Sequence, residues 1–121
     1  MNNRFNFRMW DINTKRFYYM YLDELIGLTR TISIPKEATI QQYTGLTDSN
    51  DNPIYEGDIL KISYGTMGDV IGQVLYEADE GGYIFQWERK GPNQHHINLN
   101  CDVAFESVIV GNIFEHSELL K

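Results

Sequence analysis

Polar and apolar positions alternate along much of this chain. Near the start, Phe5, Phe7 and Met9 interleave with Asn6, Arg8 and Trp10. This is a period of two, the spacing of a β-strand. Asp11, Asn13 and Thr14 follow, all residues that favour turns. Then Phe17, Tyr19 and Tyr21 share one face, with Tyr18, Met20 and Leu22 on the other. The pattern predicts a β-hairpin with two partly apolar faces, a kind usually covered on both sides by the domain or by another subunit.

The middle of the chain is patterned differently. Asp23 is placed to cap a short helix, Thr29–Ile34 is β-branched enough for a short strand, and Pro35 interrupts it. Thr39–Thr44 is a further strand candidate. The stretch QYTGLTDSNDNPIYEGDIL, from Gln42 to Leu60, then packs polar turn-formers, one proline and four acids together. Gly45 supplies backbone freedom. Asp48, Ser49, Asn50, Asp51 and Asn52 have side chains that bond their own backbone, and Pro53 ends the turn. Gly57 and Asp58 re-aim the chain into a strand beginning at Ile59, with Leu60, Ile62 and Tyr64 on one face.

The second half carries further strands. Asp69–Tyr76 places Val70, Gly72, Val74 and Tyr76 on one face, and Gly72 suggests a bulge or tight bend. Glu77 to Gly82 reads as a hairpin loop, Tyr83–Trp87 as its return, and residues 89–94 as a loop around Gly91-Pro92. Phe105–Val110 is a strand, and Ser117 caps a terminal helical turn. Many short strands with glycine turns imply an antiparallel barrel or sandwich.

Length and charge narrow the function classes. The 121 residues make one domain's worth, without internal repeat or linker. Ten basic and 17 acidic residues give −7, which disfavours nucleic acid and anionic membrane as partners. The most basic stretch is Arg4, Arg8, Lys15 and Arg16, read as a solvated hairpin face. A single cysteine excludes an intrachain disulfide and fits a reducing cytoplasm. No signal-like or membrane-spanning run is visible, so a cytoplasmic protein is expected.

Three segments together resemble the YopX family: FRMWD, QYTGLTDSNDNPIYEGDILKI and VIVGNIFEHSELL, in that order. The family pattern is FR-x-WD, QYTGL-x-D-x-NG-x-x-IYEGDI and GNI-x-ENPELL. This chain departs from it at Asp51, where glycine is more usual, and at His116-Ser117, where Asn-Pro is. The resemblance implies a phage or prophage protein of the bacterial cytoplasm with self-association. It also implies a mainly β fold: an SH3-like antiparallel barrel over residues 39–121, with an added N-terminal hairpin and variable connection over 1–38 and a short C-terminal helical turn. It brings no agreed activity and no catalytic residues.

Candidate chemistry is sparse. Glu56 and Asp58 flank Gly57 and could share one side of an extended segment, as paired carboxylates for a cation or for acid–base work. Acids beside a glycine at a strand start more often bond backbone N–H groups. Asp48, Asn50 and Asn52 begin like a calcium loop, but Pro53 stands where that loop needs glycine. His95 and His96 are adjacent, so in a strand they point to opposite faces. Cys101 reads as a small buried residue of an apolar strand.

The expectation is therefore a non-enzymatic binding or self-assembling module without catalytic, cofactor or metal residues. Trp10, Tyr18, Tyr19 and Tyr21 are its candidate interface. Gly45, Asp48, Asn50, Pro53, Gly57 and Asp58 are its structural turns. A homo-oligomer and a host or phage protein are the expected partners. The alternative is a nucleic-acid role, either a single-strand binder using Arg4, Arg8, Trp10 and Lys15 or an acidic DNA mimic. The least favoured reading is a metal hydrolase using Glu56, Asp58 and a histidine.

Overall fold

A computed structural model describes residues 6–21, 38–63, 68–88 and 94–120. The expected helix at Asp23, the strand over Thr29–Ile34 with Pro35, and the loop at Gly91-Pro92 lie outside them. So do Arg4, Phe5 and Tyr64.

The strands form two antiparallel sheets. The first contains β1 (Asn6–Asp11), β2 (Arg16–Tyr21), β3 (Thr39–Thr47) and β4 (Pro53–Tyr55), in the order β2-β1-β3-β4. The second contains β5 (Asp58–Ser63), β6 (Asp69–Glu77), β7 (Gly82–Glu88), β8 (Gln94–Asn98) and β9 (Ser107–Asn112), in the order β8-β7-β6-β5-β9. Among the described residues neither sheet closes on itself, so of the barrel or sandwich that the strand pattern implied the architecture is two open antiparallel sheets, and not the closed barrel that the resemblance implied.

The β1–β2 hairpin forms as expected, with Phe7 opposite Met20 and Trp10 opposite Phe17. Its turn is held by Asp11. The carboxylate accepts the Asn13 N–H at 2.8 Å, and the carbonyl accepts the Lys15 N–H at 2.8 Å. β1 also pairs with β3, so the hairpin makes half of the first sheet. The inward face of β1 is the surprise. Arg8 and Trp10 are buried, while Phe7 and Met9 are only half-buried. Alternation predicts two faces but not which one turns inward.

β3 runs three residues beyond the expected end at Thr44. It passes through Gly45, whose φ of 87° sits inside the register shift between Tyr43 and Thr47. Gly45 therefore serves a bulge within a strand and not the turn itself. β5 is buried on both faces over Asp58–Leu60 and alternates after that. Gly72 pairs regularly with Leu60, without a bulge. A Cβ there would collide with the Gln86 carbonyl and lie 2.8 Å from the Phe85 ring, so close approach of β7 is what requires glycine.

The core gathers Ile54, Leu60, Ile62, Val74, Phe85, Leu99 and Ala104, with Leu46 and Ile109 packed against it. Both sheets contribute. Two further elements follow the expected loop, a strand where no element was assigned and a helix where Cys101 was expected in a strand. β8 occupies Gln94–Asn98, and a short helix α1 spans Cys101–Phe105. Asn100 caps that helix by accepting the Val103 N–H at 3.0 Å. The expected strand from Phe105 thus starts only at Ser107, and Phe105 is 73% exposed. Cys101 is exposed, contrary to the buried strand position expected for it. Ser117–Leu120 forms a 3-10 turn, consistent with the expected helical ending.

Candidate functional site: a cleft around a buried ion pair

Arg8 is the centre of the arrangement. Its guanidinium pairs with Asp58 at 2.9 Å, and both side chains are about 5% exposed or less. Its Nε donates to Gln41 Oε1 at 2.8 Å, and a terminal nitrogen donates to the Glu56 carbonyl at 3.1 Å. The same cation lies 4.2 Å from the Phe17 ring centre and 4.9 Å from that of Tyr55. Aromatic faces favour a cation there. The basic residue read as part of a solvated face is therefore an internal clamp. A buried charge must be paired and hydrogen-bonded, and the sequence places its partner fifty residues away.

The local sequence Tyr55-Glu56-Gly57-Asp58 builds the other half. The second carboxylate oxygen of Asp58 accepts the Tyr55 N–H at 2.8 Å. Gly57 has φ 87°, and a Cβ on it would run into the Gln41 side-chain amide that holds Arg8. Gly57 also joins the second sheet, donating to the Val74 carbonyl at 2.8 Å and accepting from Ile113 N–H at 2.9 Å. Burial raises the Asp58 pKa above its ordinary value, and Arg8 and the Tyr55 N–H oppose that rise. Burial likewise raises Tyr55.

Asp48 organises the adjoining turn. One of its carboxylate oxygens accepts the N–H groups of Asn50 and Asn52, each at 2.9 Å. The other accepts Ile109 N–H at 3.0 Å, tying the β3–β4 loop to β9. Burial pushes this carboxyl up, but the donated N–H groups outweigh it and its pKa is lowered. Asp51 adopts φ 65°, at the position where glycine is usual in the family pattern. Pro53 opens β4 opposite Thr47.

Above the ion pair lies a cleft of about 460 Å³. Phe17, Tyr19, Tyr55 and Ile109 supply apolar walls, and Asn112 and Glu115 part of the rim. Asn112 closes its own turn by accepting Phe114 and Glu115 N–H at 3.0 Å each and donating to the Glu115 carboxylate at 3.1 Å. The three segments that carry the resemblance therefore meet at one place: Arg8 from the first, Tyr55 and Asp58 from the second, Gly111, Asn112 and Glu115 from the third.

The candidate residues separate. Trp10 is buried, stacked on Phe114 at 5.0 Å and 5° and edge-on to Phe17 at 4.9 Å. Most of it goes to internal packing, and Arg8, the other residue of the imagined single-strand groove that is buried, is held by the fold. Tyr18, Tyr19 and Tyr21 are 43%, 61% and 59% exposed. Tyr19 leans edge-on against Tyr55 at 5.6 Å, on the cleft side of β2. Glu56 and Asp58 do different work. Asp58 is consumed by Arg8 and Tyr55, while the Glu56 carboxylate approaches Gln42 N–H at 3.5 Å. His95 stacks on Trp87 at 5.8 Å and His96 bonds Glu80 at 3.2 Å, on separate partners. His116 accepts Asn112 N–H at 3.2 Å. Among the described residues no group of three His, Cys, Asp or Glu side chains could hold a metal ion, and no helix is long and apolar enough to cross a membrane.

A solved structure, the crystal structure of protein EF1440 from Enterococcus faecalis, shares the fold with a TM-score of 0.57 at 19% identity, over 96% of this chain and 97% of that one. Among curated proteins, none matches. Residues 20–121 match the YopX protein family, so Asp48, Tyr55, Asp58 and Asn112 fall inside the match while Arg8 and Trp10 precede it. On that match, which spans most of its length, this chain belongs to the YopX family.

Proposed function

We propose that this protein is a non-enzymatic protein-binding or self-assembling module of phage or prophage origin, working in the cytoplasm of a bacterial host on an SH3-like arrangement of strands. One observation carries the reading. The Arg8–Asp58 ion pair is turned inward and satisfied by the fold, while Tyr18, Tyr19 and Tyr21 of β2 are exposed. A catalytic carboxylate needs a free oxygen aimed at substrate, and both Asp58 oxygens already have partners. Exposed tyrosine suits a contact surface because it brings a large rigid ring and a polar end at low entropic cost.

A tagged pull-down from bacterial lysate, with and without nuclease, tests this. Near-stoichiometric recovery of protein that resists nuclease is the expected result. Recovery that vanishes with nuclease would replace the reading with a nucleic-acid role.

A further inference from the structure

We propose that the cleft above the ion pair binds an arginine side chain presented by a partner protein, stacked in the aromatic corner of Tyr19 and Tyr55 and paired with Glu115. The proposal rests on the protein-binding part of the reading above and names the group that is bound.

Charge sets the sign of the ligand. Three residues lining the cleft are charged: Arg8, Asp58 and Glu115. Arg8 and Asp58 cancel each other at 2.9 Å. Glu115 is exposed and, among the described residues, makes no ion pair. Its Oε1 accepts from the Asn112 side-chain amide at 3.1 Å, and its Oε2 has no partner among the described residues. The cleft therefore carries one uncompensated negative charge, on a chain of net −7. That combination draws cations in and turns anions away. An anion on Arg8 would also have to leave Asp58 buried and unpaired.

The walls select among cations. Tyr19 and Tyr55 meet edge to face at 5.6 Å and 69°, so their planes form a corner. Tyr55 is more than nine-tenths buried, yet among the described residues no hydrogen bond reaches its hydroxyl. A polar group so enclosed calls for a partner. A guanidinium suits this set because it is planar, stacks on aromatic rings, and carries a fork of donors for a carboxylate and a hydroxyl together. An ammonium has neither the plane nor the fork. The fold uses the same arrangement internally. Arg8 lies 4.2 Å from the Phe17 ring centre and 4.9 Å from that of Tyr55, with Asp58 as its carboxylate.

The space agrees with a side chain and some of its backbone. The cleft volume of about 460 Å³ falls within the range of small-ligand sites, roughly 300–1,000 Å³. A second copy of this chain would bring the same net −7, so charge complementarity favours a basic partner protein as the source of the arginine.

The test uses acetyl-arginine amide titrated into isotope-labelled protein, with the citrulline analogue as a neutral isostere. Saturable shifts are expected at the amides of Tyr55, Gly111, Asn112 and Glu115, with citrulline at least about tenfold weaker. Glu115→Gln keeps an oxygen for Asn112 and should weaken arginine about tenfold. Tyr19→Ala, at a position 61% exposed, should weaken it severalfold without disturbing the rest of the spectrum. Equal binding of arginine and citrulline overturns the charge argument. Shifts centred on the acidic Glu77–Glu80 loop, or binding unchanged by Glu115→Gln, overturn the site. No saturable shift in the millimolar range overturns the proposal and leaves the module reading to the pull-down. An oligomer that dissolves as arginine amide shifts the cleft amides would assign the arginine to a second copy and overturn the foreign partner.

Discussion

At the scale of single residues, the site is held by Arg8 and Asp58. Truncating one partner of a buried pair strands the other charge, which costs about 3–5 kcal/mol. Arg8→Met should lose about that much in urea unfolding. Adding Asp58→Asn should restore part of it, because the amide oxygen can still accept Tyr55 N–H. A double variant no more stable than Arg8→Met would contradict the pairing. Two carboxyls here give opposite pH signs. Asp48 has a lowered folded pKa, so its stabilisation is present above the ordinary 3.8 and is lost as pH falls through the folded value. Asp58 has a raised one, so its contribution is fully present below 3.8 and is lost as pH rises through the folded value. Asp48→Asn should therefore flatten the acid-side fall in stability, whereas Asp58→Asn should steepen it. Unfolding curves measured over acid pH check both. Asp51 at φ 65° is the local exception to good backbone geometry, and Asp51→Gly should raise stability by about 1 kcal/mol. An unchanged melting temperature would mean that the aspartate already relieves the strain there.

At the scale of elements, what the sequence revealed depends on how local each cause is. The hairpin turn at Asp11 and the Asp48 loop close through bonds a few residues long, so their residue types announced them. The burial of Arg8 did not, because its reason lies on β5 and in Gln41. Gly57 looked like a plain turn glycine, yet it also keeps clear the space that Gln41 fills. Val103, Ala104 and Phe105 form a short apolar run, which periodicity alone assigns to either strand or helix. The discriminating signal was Asn100, a favoured cap three residues before Val103. Asn100→Ala should cost about 1 kcal/mol, with exchange increasing first at the Val103 amide. Equal protection in both proteins would mean that packing of Ala104, not the cap, holds α1.

At the scale of the whole molecule, distant segments meet where the two sheets join. Arg8, the Tyr55–Asp58 turn and the Asn112–Glu115 turn build the floor and rim of one cleft, and Tyr19 of β2 adds to its wall. The inner part of that system is closed by its own bonds, and the outer part is aromatic. The division between a satisfied interior and an outward aromatic strand is the basis of the assembly reading. Light scattering on purified protein tests it most directly, comparing wild type with Tyr19→Asp/Tyr21→Asp over a range of concentrations. The account predicts a multiple of the chain mass for wild type and a folded monomer for the variant. Identical masses for the two proteins, whether monomeric or assembled, would contradict it.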